Sequence, residues 1–349
     1  MDMKKGNKYG THRVIKPKGV LPQTAYKISN DMELFDNEIR IAVDSLNIDS
    51  ASFTQLKDEA KNDPEKIKKK ILEIVKERGK MQNPVTGSGG MLMGTVEKIG
   101  DALLGKMDLK VGDRIATLVS LSLTPLKIEE ILEIKMGIDR VDVKAQAILF
   151  ESGIYSKLPS DMDDALALAA LDVAGAPAQA AKLVKPGDSV FILGATGKSG
   201  IMCAYEARKR VGPTGKVIGL ARNEARAEYL KEIGFCHDVV IADAKDATTI
   251  LDQILVINDG KEVDISINCL NIPECEMSSI LPVRDEGIVY FFSMATSFTR
   301  AALGAEGVGK DVLMIIGNGY TKDHAEITLE ELRESEKLRK LFEAKYVNA

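Results

Sequence analysis

From residue 189 onward the hydrophobic residues fall in short unbroken blocks. SVFIL (189–193), KVIGLA (216–221), DVVIA (238–242), DISINCL (264–270) and GIVYFF (287–292) are each set off by polar or glycine-rich segments. Stretches such as SGIMCAYEARKRVG (199–212) and EARAEYLKEIG (224–234) separate them, with apolar residues recurring every three or four positions. Blocks of that length predict strands buried on both faces, and the 3.6-residue period predicts helices between them. The alternation implies a doubly wound parallel sheet. Just before it, LALAALDVAGAPAQAAKLV reads as one Ala/Leu-rich helix, ended by KPG at 185–187.

The first half has a different rhythm. EIRIAVDSLNI (38–48) alternates apolar and polar positions, and GTVEKIG (94–100) and KVGDRIATLV (110–119) are strand patterns punctuated by glycine turns. One helix is predicted among them. Asp63 is its N-cap, Pro64 its first residue, and Ile67, Ile71, Ile74 and Val75 share one face. The lysines between them form its solvated side. Near the C-terminus, Thr328 and Glu331 read as a capping box that opens a charged helix. The expected fold class is therefore α/β: a β-rich domain over 1–157, a doubly wound domain over 158–318, and a final segment, 319–349, that returns to the first domain.

Composition narrows the function. The chain has 349 residues, 45% hydrophobic and 28% charged, enough for two globular domains. A formal net charge of −5 argues against nucleic acid or an anionic membrane as a partner. No apolar run approaches the roughly 18 residues of a membrane span, and the N-terminus has no signal-like apolar region. Cys203, Cys236, Cys269 and Cys275 show neither a CxxC pair nor zinc spacing. They read as reduced thiols of a cytoplasmic protein.

The chemistry begins at VFILGATGKSG (190–200). Its GKS resembles the end of an ATP-binding P-loop, but that motif needs glycine where Ile192 stands. The alternative fits: a strand, then Ala195-x-Gly197-x-x-Gly200 with Gly194 before it, then a helix. Gly197 would let the backbone approach a pyrophosphate, and Gly200 would let the helix pack on the sheet. Thr196, Lys198 and Ser199 supply donors at the helix start. The next strand ends Leu220-Ala221-Arg222-Asn223, without the acid that usually binds a ribose 2′-hydroxyl. Arg222 suits a 2′-phosphate instead, so NADP is expected over NAD. Asn268, Cys269 and Leu270 end a later strand, and Ser293 and Met294 follow the next. These ends are placed beside the nicotinamide half.

The spacing of IRIAVDSLN, GTVEKIG, KVGDRIATL, KPGDSVFILGATGKSG and KVIGLARN resembles the medium-chain dehydrogenase/reductase superfamily. That resemblance implies a GroES-like catalytic domain followed by a Rossmann domain, in homodimers or tetramers. Zinc-dependent members place Cys, His and Cys where this sequence has Asn47, Gly90 and Asp172, so no zinc is expected. The segments KYGTHRVIKPKGVLPQ, RGKMQNPVTGSGGMLMGTVEKIGDAL, ILFESGIY and FFSMATSFTRAALGAEGVGKDVLMIIGNGYTKDHAEITLE are similar to a narrower group, the L-erythro-3,5-diaminohexanoate dehydrogenases of anaerobic lysine fermentation. The resemblance implies oxidative deamination at C3 of a small diamino acid. Such a reaction needs acids for the amines and a donor for the carboxylate. Asp172, Asp49, Glu151 and Tyr155 are the candidate catalytic residues. His12, Arg13, Asn47 and Ser50 are the candidate substrate-binding residues. The rival readings are a zinc-free quinone or enone reductase and a non-catalytic NADP(H)-binding protein.

Overall fold

The structure is a computed structural model, and it describes residues 4–347. The chain divides into two compact units near Leu168 and Ala169.

The first unit begins with a small antiparallel ribbon, β1 (Val14–Lys16) with β2 (Lys27–Ile28). Then come β3 (Glu38–Asn47), α1 (Ser50–Ala60), α2 (Pro64–Arg78), β4 (Met91–Ile99), β5 (Arg114–Thr117), β6 (Leu126–Lys135), β7 (Arg140–Phe150) and β8 (Tyr155–Lys157). The last six of these strands form one antiparallel sheet in the order β6-β7-β3-β4-β5-β8. The expected helix is α2. Asp63 accepts hydrogen bonds from the Glu65 and Lys66 amides, and Ile67, Ile71, Ile74 and Val75 are its buried residues.

Two features differ from the sequence-based picture. A second helix, α1, precedes α2; Asp49 caps it and Phe53, Leu56 and Ala60 line its buried face. The strands β6 and β7 also have no counterpart in the sequence patterns above. In β6 the pairing register shifts between Ile128 and Glu130 and again between Ile131 and Glu133. The shifts set its buried residues Leu126, Ile131 and Ile134 at uneven intervals, so no period-2 alternation survives.

The second unit is the parallel sheet. The division falls within α3 (Asp164–Leu171), and α4 (Gly175–Leu183), β9 (Ser189–Leu193), α5 (Lys198–Val211), β10 (Lys216–Ala221), α6 (Glu224–Ile233) and β11 (Asp238–Ile241) follow. After them come α7 (Ala247–Ile257), β12 (Val263–Asn268), α8 (Glu276–Ile280), β13 (Val283–Phe291), α9 (Phe298–Val308) and β14 (Val312–Ile316). The strand order is β11-β10-β9-β12-β13-β14, and every neighbouring pair is parallel. Counted from β9, this is the 3-2-1-4-5-6 order of a Rossmann sheet, with its switch point between β9 and β12.

The helix expected from Leu166 to Val184 is two helices. Asp172 to Ala174 form a turn between α3 and α4. Pro177 explains the break. In a continuous helix its ring would meet the Val173 carbonyl and leave it without a donor. Here that carbonyl accepts from the Ala176 amide instead.

The C-terminal segment forms α10 (His324–Glu334), α11 (Glu336–Phe342) and one π-helical turn, Glu343–Val347. These elements belong to the second unit, against the expectation that 319–349 returns to the first domain. The reason is the apolar face of α10, Ala325, Leu329 and Leu332, which packs on α4 and α5. The expected capping box is also absent. α10 starts at His324, Thr328 lies within its buried face, and the Thr328 hydroxyl donates to the Ala174 carbonyl at the α3–α4 break.

Candidate active site

The β9–α5 turn is built as a close backbone approach. Gly194 has φ +84°, and a Cβ there would lie 3.0 Å from the Cys269 carbonyl carbon. A Cβ on Gly200 would lie 2.1 Å from the Gly194 carbonyl oxygen, so this glycine lets α5 sit against the strand end. Gly197 is different. Its φ of −86° suits any residue, and a Cβ would meet only the Gly194 oxygen, at 3.3 Å. Apart from that one contact, nothing else in the chain comes within 4 Å of the added atom. Gly197 is also the N-cap of α5 and provides no side-chain cap, whereas Asn223 and Asp246 cap α6 and α7. An uncapped helix start fits a phosphate group.

A cavity of about 640 Å³ opens beside this turn. Gly194, Thr196, Arg222 and Leu270 line it as expected from the sequence. Arg226, Asp243 and Lys345 also line it, and the sequence reading missed all three. Arg226 had a local signal, because the Asn223 side chain accepts from its amide in the first turn of α6. Asp243 stands just past β11, a strand end where ligands bind. Lys345 had no signal, being more than a hundred residues from any part of the motif.

Several other candidates hold the frame of this site. The Asn223 carbonyl oxygen is committed to its cap. Asn268 is 2% exposed; its amide donates to Ser279 and its oxygen accepts from the Leu270 amide, so it shapes the turn after β12. Cys269 and Cys203 stand sulfur to sulfur at 3.9 Å, both as thiols. The Ser293 hydroxyl accepts from the Ala295 amide, and Met294 is 75% exposed. Ser199 lies in the first turn of α5.

Asp172 and Lys198 meet. The Lys198 ammonium donates to Asp172 Oδ2 at 2.8 Å. The expectation for Lys198 was the cofactor phosphates, and the expectation for Asp172 was a reacting amine; here each is the other's partner. Lys198 Nζ also lies 5.0 Å from the Tyr346 ring centroid.

In the first unit the structure separates the candidates into three places. His12, Arg13 and Glu151 gather around Glu38 and Asn37. Arg13 Nε and Nη2 bind the two Glu38 oxygens at 2.6 and 2.5 Å, and Nη1 and Nη2 also donate to the Asp31 and Glu33 carbonyls. Arg13 and Glu38 are 2% and 0% exposed. Burial pushes the Glu38 carboxyl upward, but hydrogen bonds from Arg13 and His12, with the Arg13 charge, hold it below its ordinary value. A guanidinium satisfied in this way does not fit the expected role of holding a substrate carboxylate. His12 is likewise engaged at both nitrogens, with the Glu38 carboxylate at 2.8 Å and the Asn7 amide at 2.9 Å. Glu151 accepts from Asn37. Tyr155 lies elsewhere, donating to Asp108 at 2.6 Å; burial, then that hydrogen bond, raise its phenol well above the usual range.

The third place is the end of β3. Asn47 closes the strand, Asp49 follows, and Ser50 opens α1. Asp49 Oδ1 accepts from the Ser52 amide, while Oδ2 is buried with no hydrogen-bond partner among the described residues. Gly90 sits against this strand end with φ +105°, and a Cβ there would lie 2.0 Å from the Asn47 carbonyl oxygen. The position where zinc-dependent relatives carry a histidine therefore has no room for a side chain. Among the described residues no group of three His, Cys, Asp or Glu could hold a metal.

A Rossmann sheet, a glycine turn at an uncapped helix and a cation-lined cavity beside it make up a dinucleotide-type site, in a chain whose other unit is an antiparallel β-rich sheet. A solved enoyl reductase, CurK, shares the fold, with a TM-score of 0.55 at 16% identity, covering 92% of this chain and 86% of that one. Residues 12–159 match the family model for the L-erythro-3,5-diaminohexanoate dehydrogenase N-terminal domain. The L-erythro-3,5-diaminohexanoate dehydrogenase of Acetoanaerobium sticklandii is 71% identical over 98% of this chain and all of its own length. That of Fusobacterium nucleatum subsp. nucleatum is 69% identical over 99% of this chain, again over its whole length. The chain belongs to the L-erythro-3,5-diaminohexanoate dehydrogenase family.

Proposed function

We propose that this protein catalyses the NAD(P)-dependent oxidative deamination of L-erythro-3,5-diaminohexanoate at C3. Water and oxidised cofactor are consumed; 5-amino-3-oxohexanoate, ammonium, reduced cofactor and a proton are released. The observation that carries this is 71% identity along 98% of the chain to a dehydrogenase of that name.

The residues present fit a dinucleotide, since Gly197 has only one close neighbour in the chain and the start of α5 carries no side-chain cap. Gly194, Thr196, Gly197 and the first amides of α5 would hold its phosphates. When bound, the oxidised nicotinamide supplies the hydride acceptor. Arg222 and Arg226 line the cavity at the strand end where the ribose 2′ position is read, and they favour NADP(H). Asp243, an acid on the same cavity wall, supports NAD(H) as a second reading.

The substrate amine must lose a proton before hydride leaves C3, since free ammonium groups titrate near about 10.4. Asp49 is the best-placed acid of the first unit for an ammonium, because Oδ2 is buried and unpartnered. Asn47 and Ser50 flank it. Asp172 is the acid of the second unit, and it acts only when Lys198 releases it.

The protein is further proposed to be a cytoplasmic homodimer. All four cysteines are free, which fits a reducing compartment. No helix among the described residues is long and apolar enough to cross a membrane. One of the two edge strands of the parallel sheet is β14, where Leu313 and Ile316 are 58% and 56% exposed. An apolar sheet edge of this kind is a ready site for pairing with a second copy.

The test is an assay of the pure protein with the diamine and each oxidised cofactor, with and without a chelator. Substrate-dependent cofactor reduction that survives the chelator supports the reading. Turnover of a quinone or an enone, with none of the diamine, would replace it.

A further inference from the structure

The basic residues of the C-terminal helices are matched one by one with protein oxygens. Arg333 pairs with Glu330 at 3.3 Å, Arg339 with Glu343 at 2.9 Å and Lys340 with Glu336 at 2.6 Å. Lys337 donates to the Glu232 carbonyl. Lys345 is the exception: it has no carboxylate or carbonyl partner among the described residues. Its ammonium lies 5.3 Å from the Tyr346 ring centroid, and its side chain lines the cavity beside the β9–α5 turn.

Its surroundings point to an anion. Arg222 and Arg226 share the cavity wall with it, against a single acid, Asp243. The Tyr346 ring also lies within 5.0 Å of Lys198 Nζ, and Lys198 is the first residue of α5. One ring therefore contacts both the cation that opens the phosphate-facing helix and the cation that lines the cavity. Lys198 is itself committed to Asp172 at 2.8 Å. The segment is anchored from behind: Leu338 and Phe342 are 0% and 1% exposed, and the Phe342 ring packs on Tyr346 at 5.3 Å.

We infer that Lys345 is a dinucleotide-binding residue whose ammonium pairs with the cofactor's pyrophosphate, so that the C-terminal turn completes the cofactor site. The inference rests on the dinucleotide reading above. The pyrophosphate carries two negative charges. The amides at the start of α5 and the partial positive charge of that helix end meet part of that charge. A lysine beside the turn supplies a full positive charge as a flexible point donor. Tyr346 lies about 5 Å from both ammonium groups, so its ring ties the C-terminal turn to the start of α5.

The test is the affinity of the full chain for NADH and for NADPH, read by nicotinamide fluorescence, in the wild type, K345A, K345R and K340A. Lys345 is exposed, so its replacement leaves the fold intact. K345A should weaken both dinucleotides equally, by about tenfold, the factor for one charge-assisted contact. K345R should restore most of that affinity. K340A removes a cation of the same tail that lies off the cavity, and it should match the wild type. The inference is overturned if K345A binds both within about twofold of wild type, if K340A loses as much as K345A, or if the loss is confined to NADPH, which would move Lys345 to the 2′-phosphate. Wild type that binds neither dinucleotide would overturn the cofactor reading itself, and this inference with it.

Discussion

Glu331 lies on the buried face of α10, and neither of its carboxylate oxygens has a hydrogen-bond partner among the described residues. Burial is the main cause that pushes its carboxyl well above the ordinary value, and the nearby Glu206 adds to it. A carboxyl raised by folding contributes its stability below the unfolded pKa of roughly 4.3 and loses it as pH rises through the folded value. The expected result for Glu331→Met is a protein more stable than wild type by about 1–4 kcal/mol at pH 8. The gain should shrink toward pH 4, and thermal melts at both pH values measure it. A gain independent of pH would mean that the carboxyl is not the destabilising group. Arg222 belongs to the same scale. Arg222→Ala should lower the NADP-to-NAD ratio of kcat/KM by about tenfold, chiefly through KM for NADP. An unchanged ratio would place the reading of the 2′ position elsewhere. The residue types were legible in the sequence; their partners were not. Arg13 looked available for a substrate, yet Glu38, which binds it, is 25 positions away. Nothing local announces such a pair.

Among the elements, the β9–α5 unit was legible almost to the residue, because every part of it is contiguous. The strand block, the glycines and the helix period are one sentence of sequence, and the strand appears at Ser189–Leu193 as read. The two glycines in it answer to different demands, which a matched pair of variants separates. Gly200→Ala must move the Gly194 carbonyl, backbone that cannot swing aside, and should cost about 1–3 kcal/mol in the denaturation midpoint. Gly197→Ala meets the same carbonyl only at 3.3 Å, so it should cost clearly less stability than Gly200→Ala and lose dinucleotide affinity. Equal stability losses in both would show that position 197 is also a packing requirement. Elements were misread where tertiary contact overrides a local pattern. Thr328 and Glu331 have capping-box spacing, but α10 runs through them because its apolar face is covered by α4 and α5. α1 was not read from the sequence, although Asp49 caps it and Phe53, Leu56 and Ala60 fall at helical spacing, because the signal is short.

For the whole molecule, the free edge at β14 is the feature with a measurable consequence. Leu313→Lys puts a charge on the exposed face of that edge, and it should shift the proposed dimer toward monomer in light scattering across a dilution series. A wild-type protein that is already monomeric, or a variant that stays dimeric, would remove β14 from the interface. The alternation of strand blocks and helical periods carried the α/β class, the parallel sheet and the dinucleotide turn, because each depends on residues within one or two dozen positions of one another. Long matching segments carried the family. Four features came only from the folded chain: the Glu38 grip on Arg13, the Asp172–Lys198 pair, the buried Glu331, and Lys345 beside a turn some 150 residues earlier. Packing brings those groups together across distances at which local pattern holds no information.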